Sequence, residues 1–130
     1  MNIECPTLER NEEATEEAIA ELVPLLAERE DPYLILSETE MTYMQTLWTP
    51  EGYALEYQNE SILEHYGAKG YFEADDIIWA LQSYLQGQPY WKTKFEFERQ
   101  EIATTSFKIG HFFGSIIGKF SSFLRGGKEF

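Results

Sequence analysis

Cysteine is almost missing from this 130-residue chain, which contains Cys5 and no other. A single cysteine excludes a disulfide within the chain and fits a reducing compartment, so we expect a cytoplasmic protein. The N-terminus shows no basic stretch followed by an apolar run, so we expect no secretory signal. No run of about 20 apolar residues occurs, and the sequence therefore predicts no membrane-spanning helix.

Basic residues are also scarce, with 10 Lys and Arg against 23 Asp and Glu. Residues 1–101 hold 22 acids and 6 bases, a net charge of −16, whereas residues 102–130 hold four bases and one acid, a net of +3. An acidic body disfavours nucleic acid, because binding there depends on neutralising phosphates, and it attracts cationic partners. The alternative is that the acidic residues only keep the protein soluble.

Patterns typical of catalysis are missing as well. No serine lies in a strand–turn–helix elbow, and no phosphate-binding glycine loop follows a predicted strand. His65 falls in a predicted strand beside Glu64, so the two side chains should point to opposite faces and cannot chelate one metal without distortion. His111 falls on the polar side of the last segment. The sequence therefore predicts no catalytic residue, no metal site and no cofactor, and it does not indicate an enzyme.

Aromatic residues, by contrast, are plentiful at 15% of the chain, and hydrophobic residues reach 43%. This suits one domain with its own core. The predicted fold class is α+β: an antiparallel meander of four to five strands, an N-terminal helix, one helix before the last strand, and a C-terminal amphipathic helix. We divide the chain into an acidic α+β domain, residues 1–103, and a basic amphipathic helix, residues 104–130.

The predicted elements follow the apolar spacing. After a frayed lead-in at residues 1–7, Thr7 is the predicted N-cap of a first helix that Pro24 interrupts near its end. Strands are predicted at residues 33–37, 42–48, 53–58 and 62–66, with a Pro-Gly turn at 49–52. A second helix presents one apolar face from Ile77 to Leu85 and stops near Gly87. A last strand is predicted from Trp91 to Ile102.

Residues 104–125 form a predicted amphipathic helix. Its apolar side consists of Phe112, Phe113, Ile116, Ile117, Phe120, Phe123 and Leu124, and its polar side of Lys108, His111, Ser115, Lys119 and Ser122. Glycine recurs every four residues, which allows close helix packing. The predicted helix-packing residues are Gly110, Gly114, Gly118, Phe113, Ile117 and Phe120. The sequence leaves open where this helix binds: on the domain's own sheet, on a second copy in a homodimer, or weakly on an anionic membrane surface.

The middle of the chain resembles a known family. The residues that carry the likeness are Tyr43-Met44-Gln45-Thr46, residues 52–58, His65-Tyr66, Ala80-Leu81, Tyr84-Leu85-Gln86-Gly87, Trp91-Lys92 and Phe95-Glu96-Phe97-Glu98. Over residues 33–102 this pattern is similar to small immunity proteins of bacterial polymorphic-toxin systems. The resemblance implies an α+β, cytoplasmic, non-enzymatic protein that binds and blocks a toxin. Residues 104–130 are not part of the pattern.

We therefore expect a protein-binding module, most simply an immunity-type inhibitor whose partner is a basic toxin domain. Tyrosines and carboxylates on an open sheet face make a good binding surface, although each tyrosine could instead belong to the core. The predicted partner-binding residues are Tyr53, Glu56, Tyr57, Glu60, Glu64 and Tyr66. The alternative function is a peripheral membrane or scaffold protein that acts through its C-terminal helix, and an enzyme ranks third.

Overall fold

A tight reversal at residues 49–52 joins two central strands. Thr49 pairs with Gly52, and the Thr49 hydroxyl donates to the Gly52 carbonyl oxygen at 2.8 Å. Gly52 has a φ of 131°, which favours glycine, and a Cβ there would lie 3.0 Å from the Cβ of Tyr71. The predicted hairpin is thereby confirmed, in a computed structural model that describes residues 1–101.

Residues 1–101 form one antiparallel sheet of seven strands with the order β2-β1-β3-β4-β5-β6-β7. The strands are β1 (Asn2–Cys5), β2 (Arg10–Glu13), β3 (Tyr33–Thr39), β4 (Thr42–Thr49), β5 (Gly52–Gln58), β6 (His65–Ala68) and β7 (Phe97–Arg99). The helices are α1 (Glu16–Leu25), α2 (Ala74–Leu85) and α3 (Trp91–Lys94). The α+β class is confirmed, but the predicted count of four to five strands was too low.

The N-terminal residues differ most from the prediction. Instead of a frayed lead-in, β1 and β2 pair in register from Asn2↔Glu13 to Cys5↔Arg10, and β1 also pairs with β3. Ile3 and Cys5 are fully buried. The prediction was wrong because these strands are held by backbone pairing with distant residues, while their own side chains are mostly polar.

Helix α1 consequently begins later than predicted. Thr15, not Thr7, is its N-cap, and the Thr15 hydroxyl accepts a hydrogen bond from the backbone N–H of Ala18 at 3.0 Å. The helix ends at Leu25, one residue after Pro24, close to the predicted interruption. Helix α2 agrees with its prediction, and Gly87 follows it with a φ of 76°.

Two predicted strands were partly wrong. Residues 62–64 form a 3-10 turn that Ser61 caps, so β6 starts only at His65. Residues 91–94 form helix α3, and only residues 97–99 of the predicted last strand pair with β6. Trp91 and Phe95 are four residues apart, a spacing that also suits one helical turn, and both are buried.

The sheet has two faces because alternate side chains in a strand point in opposite directions. On the first face, α1 and α2 pack against the sheet. The main core residues there are Ile3, Leu34, Leu36, Met44, Leu55, Ile19, Leu22, Ile77 and Leu81. The opposite face, which we call the second face, carries Tyr43, Gln45, Leu47, Ala54, Glu56, Gln58 and His65 at its centre, and these are buried as well.

The predicted C-terminal helix and its packing residues lie outside the described residues. They include Gly110, Gly114, Gly118 and the apolar residues Phe113, Ile117 and Phe120. The division of the chain at residues 103 and 104 likewise stays a prediction. Within residues 1–101, no helix has both the length and the apolarity that crossing a membrane requires.

Candidate functional site

An open cleft of about 340 Å³ lies on the first face of the sheet, where β3 ends and β6 begins. Its walls come from strands, turns and the two later helices. The lining residues are Glu38, Thr42, Tyr57, Gln58, Asn59, Glu64, Tyr66, Tyr84, Trp91 and Lys92. A second hollow of about 220 Å³ shares four of these residues and extends the cleft towards Met1 and Gly87.

Two stacked tyrosines form the floor of the cleft. Tyr57 of β5 and Tyr66 of β6 are cross-strand partners, and their rings stack with centroids 5.0 Å apart and planes 17° apart. Trp91 and Phe97 each meet the Tyr57 ring edge-on with centroids at 4.8 Å. These contacts fix Tyr57 in place, so the floor is preorganised for binding.

The carboxylates of the cleft contribute to raising the pKa values of its tyrosines. The Tyr66 hydroxyl donates to Glu64 at 2.6 Å, and this bond raises the pKa of Tyr66 above its usual range. Burial and the nearby Glu64 charge raise the pKa of Tyr57, and burial together with Glu38 raises that of Tyr84. All three phenols therefore stay neutral at physiological pH. They can donate hydrogen bonds, but they do not act as phenolate nucleophiles there.

Aromatic faces beside carboxylates favour a cationic ligand group. The cleft already holds one such contact, because the Lys92 Nζ lies 5.5 Å from the centroid of Trp91. The Tyr84 hydroxyl is buried and has no hydrogen-bond partner among residues 1–101. A guanidinium or ammonium group entering the cleft would thus meet two carboxylates, one phenol and a stacked aromatic pair.

Three of the predicted partner-binding residues meet in this cleft. Tyr57, Glu64 and Tyr66 line it directly, and Glu60 lies on the adjoining turn, where its backbone N–H donates to the Thr42 hydroxyl at 3.0 Å. Tyr53 does not reach the cleft. Its side chain is buried in the core, and its hydroxyl donates to the Val23 carbonyl oxygen at 2.8 Å.

Glu56 lies apart from the cleft, on the second face. It is fully buried, and its Oε1 lies 2.7 Å from Nε2 of His65 and 3.2 Å from Nε2 of Gln45. The other ring nitrogen of His65, Nδ1, lies 2.9 Å from Oε1 of Gln58, which also accepts from the Tyr43 hydroxyl at 3.1 Å. We call these five residues the polar cluster. A sheet face expected to be open instead holds a buried, hydrogen-bonded cluster.

The sequence did not identify the other seven lining residues, among them Glu38, Tyr84, Trp91 and Lys92. Glu38 comes from β3, and Tyr84, Trp91 and Lys92 reach the tyrosines only because α2 and α3 pack on the sheet. The spacing of α2 did place Tyr84 on the apolar helix face. The pairing of Glu56 with His65 could have been inferred from an antiparallel register in which Gln58 pairs with His65.

Within residues 1–101, no group of three or more His, Cys, Asp or Glu side chains is arranged to hold a metal ion. The expectation that the chain uses no metal, no cofactor and no catalytic residue stays a prediction for the whole chain.

Comparison with known proteins adds no family. The chain matches no family model, no curated protein and no solved structure.

Proposed function

We propose that this chain is a non-catalytic protein-binding module whose cleft receives basic side chains of a protein partner. The observation that carries the proposal is the cleft itself, in which the Tyr57–Tyr66 stack lies among the carboxylates of Glu38 and Glu64. Preorganised aromatic residues flanked by charges are typical of the few positions that dominate binding energy in interfaces.

Arginine is the side chain that fits this cleft best. Its planar guanidinium stacks on aromatic rings and donates in a fork that matches a carboxylate. The surrounding body, with a net charge of −16 over residues 1–101, attracts such a partner over a longer range.

The partner we propose is a basic toxin domain, so the chain would act as an immunity-type inhibitor. The similarity of residues 33–102 to small immunity proteins and the acidity of the body support this. The buried free thiol of Cys5 fits the reducing cytoplasm in which such an inhibitor would act.

Two substitutions in the full chain test the cleft. Immobilised wild-type protein should capture a basic protein from the native bacterial host, and that protein should arrest growth when it is expressed alone. Tyr66→Ala removes half of the stack and should weaken binding by about 2 kcal/mol or more, as expected for an aromatic anchor. Glu64→Lys should weaken binding as well, because it reverses a charge at the cleft wall.

Each substitution has a matched control outside the cleft. Tyr71→Ala changes a tyrosine that is exposed elsewhere, and Glu30→Lys reverses an exposed acid near the opposite end of β3. Both controls should bind the partner like the wild type. A captured partner whose dissociation constant is the same for Tyr66→Ala and Tyr71→Ala would refute a role for the cleft.

A further inference from the structure

We propose that residues 104–125 of the same chain dock on the second face of the sheet and cover the polar cluster. This goes beyond the proposed function, because it concerns the face opposite the cleft. The seven residues at the centre of this face are at most 2% exposed. Within residues 1–101, α1, α2 and Trp91 all pack on the first face, so none of these elements provides the cover.

The second face also needs hydrogen-bond donors. The side-chain oxygens of Gln45 and Gln100 are buried and find no donor among residues 1–101. A buried acceptor without a partner is costly, so the covering element should carry polar hydrogens as well as apolar groups. On or beside its predicted apolar side, residues 104–125 offer such donors in the hydroxyls of Thr105, Ser106 and Ser121.

The chain leaves the described region on the correct side. The backbone N–H of Gln100 donates to the His65 carbonyl oxygen at 2.8 Å, which continues the pairing of β7 with β6. The Gln100 side chain lies over Gly67, since a Cβ added at Gly67 would collide with the Gln100 amide group. Gly67 faces the same side as Glu56, its cross-strand neighbour. The following residues therefore start at the rim of the second face.

The segment has a suitable length. A helix of 22 residues is about 33 Å long. The distance across the sheet from β7 to β3 spans four strand gaps, or about 19 Å. Residues 104–125 can thus cross the buried centre of the face.

Apolar character and charge agree with this placement. The predicted apolar side, which includes Phe113, Ile117 and Phe120, would contact Leu47 and Ala54 on the sheet. The net charge of +3 in residues 102–130 complements the −16 of residues 1–101. A soluble chain usually covers its own apolar surface, and docking within one chain avoids the entropy lost in association.

The test is thiol labelling of the full chain with Ala54→Cys, a small change that introduces a thiol on the second face. Cys5 is the internal control, because it is fully buried on the first face and reacts only when the domain opens. If residues 104–125 cover the face, the introduced thiol should react about a hundredfold more slowly than an exposed thiol in a monomeric sample. Reaction of the introduced thiol at the rate of an exposed one would overturn the proposal.

Two further substitutions, each combined with Ala54→Cys, identify the covering element. Ile117→Asp places a charge on the predicted apolar side and should make the introduced thiol reactive while Cys5 stays protected. Ser115→Asp places the same charge on the polar side and should leave the introduced thiol protected. Equal labelling rates of the introduced thiol in the Ile117→Asp and Ser115→Asp variants would overturn the proposal. If Ile117→Asp also exposes Cys5, the domain has unfolded, and the milder Ile117→Ala must then expose the introduced thiol before Cys5 for the proposal to stand.

The same thiol-labelling assay also tests the two other possibilities, that a second copy covers the second face or that residues 104–125 bind a membrane. Protection that is lost on dilution, together with a change from dimer to monomer in sedimentation, would assign the face to a second copy. Protection that appears only with vesicles containing anionic lipid would assign the segment to a membrane. Either result would overturn docking within one chain.

Discussion

At the scale of single residues, the most informative group is the buried pair of His65 and Glu56. The Gln58 amide is oriented by two contacts, since its Nε2 donates to the Met41 carbonyl oxygen and its Oε1 accepts from Tyr43. Both ring nitrogens of His65 therefore face acceptor oxygens. His65 is thus held by polar partners on both sides, and the Glu56 carboxyl group lies at the shorter distance.

Breaking this pair from one side should be costly. His65→Leu or Glu56→Leu removes one side of this buried contact, and each should lower the free energy of unfolding by about 1–3 kcal/mol. The double variant should lose much less than the sum, because both substitutions remove the same contact. Urea unfolding measures all three. Losses that add to within about 0.5 kcal/mol would show that the two residues do not act as a pair. As a control, Glu98→Leu, at an exposed ion pair with Lys69, should cost at most about 1 kcal/mol.

The buried tyrosines should limit stability at alkaline pH. Burial raises the pKa of Tyr43, with a smaller contribution from Glu56, and burial also raises the pKa of Tyr84. The unfolded chain releases phenolic protons near pH 10 while the folded chain keeps them. Stability is therefore fully present below about pH 10 and falls as the pH rises further, by up to about 1.4 kcal/mol per pH unit for each phenol.

Ultraviolet absorbance of phenolate and circular dichroism, followed together, measure this effect. Phenolate from the buried tyrosines should appear together with unfolding, and Tyr43→Phe should make the alkaline decline less steep. Full ionisation of the tyrosines near pH 10 with the fold intact would contradict the expectation.

At the scale of elements, the sequence predicted what local patterns determine. The 49–52 hairpin and α2 carry their signals within a few residues: a Pro-Gly turn, one apolar helix face and a terminal glycine. The hairpin of β1 and β2 carries no such signal, because its residues are mostly polar and its position depends on pairing with β3. The cleft residues fall into the same two groups, those with a local sequence signal and those placed by tertiary packing. Tyr57, Glu64 and Tyr66 were predicted from neighbouring strands, while Tyr84 and Trp91 arrive through helix packing.

The N-terminal strand can be tested by one substitution. Ile3 is fully buried in the core, so Ile3→Ala should lower the free energy of unfolding by about 2–4 kcal/mol. A frayed lead-in would show no loss. Asn11→Ala, on the exposed outer strand β2, is the control and should change stability by less than about 1 kcal/mol. Denaturant unfolding measures both, and equal stability of Ile3→Ala and the wild type would contradict the strand.

At the scale of the whole molecule, charge is the dominant property. Two of the six bases in residues 1–101 are held by pairs of acids. Arg10 lies 2.7 Å from Glu12 and 3.2 Å from Glu21, and Lys69 lies 3.2 Å from both Glu96 and Glu98. Most of the remaining carboxylates stay available to set the field around the protein.

This field should govern how fast a basic partner associates. Added salt should slow association, since the screening length falls from about 10 Å at 0.1 M to about 3 Å at 1 M. Charge reversal of both Glu60 and Glu64, at and beside the cleft, should lower the association rate by roughly tenfold at low salt. Stopped-flow mixing with the captured partner measures the rate, and Glu30→Lys is the control. An association rate that ignores salt up to molar concentration would argue against electrostatic choice of partner and against the immunity-type role.

The outer strand β2 has a further consequence for the behaviour of many copies together. An outer strand offers unpaired backbone groups to a strand of another molecule, which is how sheets grow into fibrils. In this chain β2 is only four residues long, and Arg10, Glu12 and Glu13 occupy three of its positions. A short edge that carries charged side chains disfavours backbone pairing with another copy, so we expect the β2 edge to resist growth of the sheet from one molecule into the next.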